Sequence, residues 1–248
     1  MAVTVQQVFE ELRRLAPVEL ACSWDNVGLL VDAGRPVTRI ATALDITPAV
    51  VEEAAGRGCE LIVAHHPVIF HPLKTLSAGD VPARLLAAGI SGICMHTNLD
   101  AAEGGVNDTL AGILGIREAE PFAEGCGRIG RVEATSAETL ARLCAARLGA
   151  HPQYVEADRP IRRLAEVSGA GGSYLEEALA LGADCLVTGE AAHHVALAAR
   201  AHGMGLVVAG HWGTEHPIAA VLAQKLAAAF PGLEVRPAET DTDPFAYL

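Results

Sequence analysis

Six short aliphatic runs, residues 39–44, 60–64, 92–95, 164–167, 184–187 and 205–209, recur along the chain with alanine- and leucine-rich stretches between them. Each run is mostly apolar on both of its alternating faces, so it needs a covering layer on each side. This strand-helix alternation restricts the chain to an α/β fold built on largely parallel sheet. Residues 48–55, 82–88, 106–114, 137–148, 173–181, 191–202 and 217–230 read as the helices.

A length of 248 residues allows one large domain or two modest ones. Composition breaks near Gly125-Cys126-Gly127, after which residues 128–135 look like a fresh strand. The expectation is a discontinuous first domain, 1–125 with 205–248, carrying a smaller α/β domain inserted over 126–204.

Charge and cysteine usage narrow the setting. Lys225 interrupts the strongest apolar stretch, 218–230, so a membrane span of about 18 residues is not expected. Residues 1–15 place Val5, Val8, Phe9, Leu12 and Leu15 at helical spacing with charges between, an amphipathic helix and not a signal peptide. Six cysteines without a C-x-x-C pair, four of them in apolar segments, predict a reducing cytoplasm. A formal net charge of -12, with Arg159, Arg162 and Arg163 as the basic cluster, argues against nucleic acid as partner. A small anionic or nucleotide-like ligand stays compatible, because bound dications reverse the local field.

Three of the apolar runs end on metal-binding residue types: His65-His66-Pro67, Asp100 after Cys94-Met95-His96, and His211 with Glu215. In open α/β sheets, ligands collect outside the carboxyl ends of the strands. The strand-exit position makes His65, His66, Asp100, His211 and Glu215 the candidate metal ligands. A mixed imidazole and carboxylate set suits Zn, Mn, Fe, Ni or Co, and the expected content is two divalent ions per chain. Adjacent His65 and His66 can serve neighbouring ions only if the strand has ended, which Pro67 favours. Thr214 reads as an N-cap, placing Glu215 at the positive end of a helix dipole. His71, His96 and His216 stay outside the inner ligand set.

Other residues are weighed alongside. Asp45 is either a partner orienting an imidazole or a turn residue. Lys74 is the candidate substrate-binding residue, through a phosphate. Gly169-Ala170-Gly171-Gly172-Ser173 could present amides to an anion, but lacks the Lys-Ser/Thr of a P-loop and reads as a close strand-to-helix turn. Residues 24–29 read as structural.

The motifs Ser23-Trp24-Asp25-Asn26-Val27-Gly28-Leu29, His65-His66-Pro67, Pro72-Leu73-Lys74, His96-Thr97-Asn98-Leu99-Asp100, Gly104-Gly105-Val106-Asn107-Asp108, 169–173, Thr188-Gly189 and Gly210-His211 with Thr214-Glu215 resemble the Nif-three-like family, the GTP cyclohydrolase 1 type 2 homologues. The resemblance spans nearly the whole chain. It implies a dinuclear metal centre on the same five residues, a toroidal homohexamer with sites facing an internal cavity, and the short form of the family. It also implies hydrolysis at the C8 carbon of GTP with release of formate, in a metal-dependent hydrolase. Where the family carries Thr-Gly-Asp and a Lys before a His, this chain has Thr188-Gly189-Glu190-Ala191-Ala192-His193-His194, which weakens a substrate role for that loop. Glu190, His96 and His194 are the candidates for acid-base catalysis, and His194 reads equally as a buried helix residue. The rival class is a non-catalytic metal-binding ring: a store, carrier or scaffold.

Overall fold

The strand-helix alternation is present in the computed structural model, which describes residues 2–248. The first elements in chain order are α1 (Val5–Leu15), β1 (Gly28–Val31), β2 (Arg39–Ala43), α2 (Pro48–Gly56), β3 (Leu61–Ala64), α3 (Val81–Ala88), β4 (Ser91–Cys94), α4 (Thr97–Ala101) and α5 (Val106–Leu114). There follow β5 (Arg117–Phe122), β6 (Gly127–Thr135), α6 (Ala137–Leu148), β7 (Gln153–Val155), β8 (Ile161–Val167), α7 (Leu175–Ala180), β9 (Cys185–Thr188) and α8 (His193–Ala201). The chain closes with β10 (Gly205–Val208), α9 (His211–Glu215), α10 (Pro217–Ala229) and β11 (Glu234–Pro237). All six aliphatic runs form strands, and each expected helical stretch contains a helix.

Local chemistry sets several boundaries. The Thr4 hydroxyl accepts from Gln7 N while the Gln7 side chain accepts from Thr4 N, a reciprocal cap that starts α1. Thr47 caps α2 through Val50 N, and Pro48 occupies the first turn, where its missing N–H costs nothing. Thr214 behaves differently from its expected N-cap role. It lies inside the one-turn helix α9, with its hydroxyl on the carbonyls of Gly210 and His211. Glu215 therefore ends α9 and precedes α10 by one residue.

The chain divides into two compact units, Met1–Ala102 with Ile218–Thr242, and Glu103–Pro217 with Asp243–Leu248. The boundaries of these units differ from the expected 125/126 and 204/205. A cut at 125 would sever β5 from β6, its antiparallel partner from Phe122↔Gly127 to Arg117↔Arg131. A cut at 204 would remove β10 from its parallel partner β9. Hydrogen-bonded strand pairing outranks the compositional break at Gly125, which marks only a turn.

The first unit carries a sheet of order β1-β4-β3-β2-β11, parallel except for β1 at one edge. Ile62, Ala64 and Cys94 pack with Val50, Val51, Leu85 and Ile90. Their neighbours Leu61, Val63 and Ile93 are equally buried, so both sheet faces are covered. The register Ala43↔Ala64↔Cys94 ends three adjacent parallel strands at one level.

The second unit carries a sheet of order β5-β6-β8-β9-β10-β7, in which β8, β9 and β10 are parallel. Leu164, Val187 and Val207 join a core with Leu110, Leu140 and Cys144. The alternate residues Ala165, Leu186 and Leu206 join another with Phe122, Leu175 and Val195. Here too the strands finish in register, Val167↔Thr188↔Val208. Among the described residues, no helix is long and apolar enough to cross a membrane.

Candidate metal centre

The register of the first sheet decides which side chains meet. Beyond Ala43, Ala64 and Cys94 the three strands continue as Leu44-Asp45, His65-His66 and Met95-His96. His65 N and His66 N still donate to Ala43 O and Leu44 O, so the doublet is carried on ordered backbone past the end of β3. The imidazole centroids of His65, His66 and His96 lie 5.1 to 5.6 Å apart. One ring nitrogen from each falls within 4.8 Å of the others.

Each of these rings is fixed through Nδ1. His65 Nδ1 donates to Met95 O at 2.9 Å, His66 Nδ1 to Asp45 Oδ1 at 2.8 Å, and His96 Nδ1 to Asp25 Oδ1 at 2.8 Å. A carbonyl or ionised carboxylate can only accept, so each Nδ1 carries the proton and, in the neutral ring, Nε2 carries the lone pair a metal needs. Burial alone would raise the Asp25 carboxyl. Hydrogen bonds from His96 and the Thr97 hydroxyl, the His96 charge and the Thr97 amide outweigh it and hold that group well below the usual carboxylate range.

Asp100, in α4, places Oδ1 3.6 Å from Nε2 of the fully buried His65. That exceeds a good hydrogen bond. It suits two donors of one ion, since ligand atoms each about 2.1 Å from a metal stand about 3–4 Å apart. The donor set fits a transition metal.

The second unit repeats the device. Past Val167, Thr188 and Val208 come Ser168-Gly169, Gly189-Glu190 and Ala209-Gly210-His211. His211 Nδ1 meets Glu190 Oε1 at 2.9 Å, and its Nε2 meets Oε2 of the buried Glu215 at 3.0 Å. A fourth imidazole is thus oriented through Nδ1, here by the glutamate that departs from the family pattern.

The glycine-rich turn after β8 packs against this pair. Gly169 N donates to Thr214 Oγ1, Gly171 N to Thr188 Oγ1 and Gly172 N to Glu190 O, at 3.0 to 3.1 Å. These three amides are therefore used within the fold, and the segment is the close strand-to-helix turn expected, not an anion cradle. Gly169 is at φ +56, and a Cβ there would lie 2.1 Å from Glu215 Oε1 and 3.2 Å from His211 Nε2. The absent side chain is the room in which Glu215 sits.

Within the first unit the structure brings together His65, His66 and Asp100, and within the second His211 and Glu215. His96, expected outside the inner set, stands beside His65 and His66. Asp45 has the orienting role. Asp25 is a site residue absent from the sequence-based candidates: residues 24–29 read as structural, and its partner His96 is 71 residues away. His194 is exposed in the first turn of α8 and lines a surface hollow with Ala170, Gly172, Ser173 and Glu190, which removes the buried-helix alternative. Lys74 is exposed in the 67–80 loop. All six cysteines are free thiols, and burial pushes Cys94 up to about 12, leaving it an inert apolar neighbour of the histidines.

Comparison with known proteins agrees with the resemblance. Residues 3–244 match the family model Duf34/NIF3 (NGG1p interacting factor 3). A GTP cyclohydrolase 1 type 2 homolog of Clostridium acetobutylicum is 31% identical over 244 residues, covering 91% of this chain and 90% of that protein. The protein NIF3 homolog of Schizosaccharomyces pombe is 37% identical over 241 residues, covering 86% of this chain and 85% of that one. The crystal structure of Staphylococcus aureus hypothetical protein SA1388 superposes with a TM-score of 0.88 at 28% identity, over 100% of both chains. A family match of this extent, on a chain whose histidines are oriented as described, has one reading: this chain belongs to the Duf34/NIF3 family.

Proposed function

We propose that the chain is a metal-dependent hydrolase of a nucleotide-like substrate, with His65, His66, Asp100, His211 and Glu215 holding two divalent ions. The observation that carries this reading is that the three imidazoles of the set, His65, His66 and His211, are each oriented through Nδ1 to an oxygen acceptor. Core histidines satisfied at one nitrogen point in unrelated directions, whereas ligand histidines share this pattern. Bound dications would supply Lewis acidity, acidifying water and stabilising developing negative charge. The chain's own task is to aim the imidazole Nε2 atoms and to supply the Asp100 and Glu215 carboxylates. The relatives' name, GTP cyclohydrolase 1 type 2 homolog, supplies GTP as the substrate reading, and attack at C8 with loss of formate is what the family resemblance implies. Assembly into a ring-shaped homohexamer is part of the same proposal, and light scattering showing a monomer at micromolar concentration would contradict it.

Protein purified without chelator and saturated with Mn or Zn should contain about two ions per chain, because five ligands with one shared carboxylate offer three positions to each centre and waters complete the usual four to six. Metal analysis with a nucleotide turnover screen tests the reading. One ion per chain removes the dinuclear centre; two ions without turnover of any nucleotide favour the metal store.

Asp45→Asn should weaken metal binding by about tenfold, since a neutral amide supports the His66 ring less well than a carboxylate. The Asp45 side chain is 42% exposed, so thermal stability without metal should change little. Metal titration beside a melting curve checks both; unchanged affinity would mean that the His66–Asp45 contact orients nothing.

A further inference from the structure

Two large aromatic side chains stand in solvent next to the histidine cluster of the first unit. Trp24 is 61% exposed and Phe70 38%. Their ring centroids are 6.0 Å apart, and those of Trp24 and Phe70 lie 6.2 and 6.4 Å from His96. Neither belongs to the core clusters that hold Ile62, Leu164 or Leu186.

The backbone beneath them is nevertheless fixed. Asn26 Nδ2 donates to Ile69 O, tying the Trp24 segment to the Phe70 loop. Cys22 N donates to Thr97 Oγ1, Asp25 N to Cys22 O, and Val68 N lies 3.4 Å from Cys94 Sγ. The Asp25 carboxylate, one residue from Trp24, holds both His96 and Thr97. Exposed aromatic surface normally costs solubility, and here it is held rigidly at the edge of a charged site. A rigid ring of that size offers a flat face to another ring at low entropic cost.

We infer that Trp24 and Phe70 form a stacking wall that holds the planar heterocycle of the substrate beside His96. The rings are tilted 49° to one another, so a base stacked parallel to Trp24 would stand at that same tilt to Phe70. The inference rests on the nucleotide reading above and names the part of the substrate this wall selects. It makes the wall sensitive to the base and indifferent to sugar and phosphate.

The test uses the full metal-loaded chain with guanosine monophosphate and ribose 5-phosphate as probes, followed by calorimetry and tryptophan emission. Guanosine monophosphate should quench emission, and Trp24→Ala should abolish the quench and weaken its binding by about tenfold. Ribose 5-phosphate affinity and metal content should not change, and Trp24→Phe should restore most of the loss. Phe70→Ala, on the loop, should give a smaller loss of the same selectivity and stands in if Trp24→Ala does not fold. Equal losses for both probes, or unchanged nucleotide affinity in both alanine variants, would overturn the inference. A change in oligomer size in Trp24→Ala with nucleotide affinity intact would overturn it too, making the wall a subunit contact. Wild type that quenches but carries no metal would refute the metal reading and leave the stacking standing.

Discussion

Glu215→Gln is expected to lower metal affinity by roughly a hundredfold or more while leaving the metal-free protein close to wild-type stability, an effect larger than the ten- to hundredfold typical of orienting partners. In the proposed centre Glu215 would supply the anion shared by both ions, and the ions of two-metal sites stand about 3.5–4 Å apart. Removing that charge leaves two double charges facing each other across a poorly screened gap, so both ions should weaken together. Stability changes little because Gln keeps the volume and its amide N–H can donate to the lone pair on His211 Nε2. His96→Gln is expected to behave in the opposite way. It removes the imidazole from the fully buried Asp25 carboxylate, at a cost of about 1–3 kcal/mol in stability, and should reduce metal affinity only a few-fold. Metal titration and melting curves on the two variants decide the assignment. Wild-type affinity in Glu215→Gln, or a larger loss in His96→Gln, would exchange their roles and give His96 a ligand position.

What the sequence showed and what it hid follow from the range of the interactions involved. The strands were legible because burial on both faces leaves a local mark, as in Leu186 and Val187, which enter different cores from adjacent positions. His65, His66 and His211 were legible because each directly follows such a run. The domain boundaries were not. Pairing of β5 with β6 and of β10 with β9 is decided by partners along the sheet, and no composition signal reports it. Asp25 was hidden for the same reason. Its carboxylate acts on His96, far along the chain, and Asp-Asn before Val-Gly also spells an ordinary turn. Thr214 illustrates a local ambiguity: a threonine before a helix resembles a cap, but the same hydroxyl can bond back to the carbonyl one turn earlier, as it does to Gly210.

Register explains why the donors converge. Parallel strands that end at one level present their next residues side by side, so Asp45, His66 and His96 need no loop of special shape to share an edge. In the second sheet the same level holds Gly169, Glu190 and Gly210, and His211 follows directly on Gly210. In each set one strand exit gives an imidazole and another gives the acceptor or the space that positions it. A one-residue insertion before Ala64 would therefore misplace His65 and His66 together.

Gly169→Ala should abolish high-affinity metal binding although residue 169 supplies no ligand. The expected loss is on the order of a hundredfold, from the added methyl's position 2.1 Å from Glu215 Oε1 and 3.1 Å from its Cδ. Glu215 is buried, so its carboxylate can yield only by turning away from His211, which is the geometry the site needs. The backbone contributes a separate cost, since φ +56 is unfavourable for alanine by about 1–2 kcal/mol, lowering the melting temperature by roughly 2–8 °C. Gly182→Ala isolates that second term. Gly182 has φ +77 with nothing within 4 Å of an added Cβ, so it should show the thermal shift and keep its metal. Metal titration and melting of the two variants settle the point. If both bind metal like wild type, Glu215 is not held where the turn after β8 makes room for it. If both lose metal alike, backbone strain and not the missing side chain governs the site.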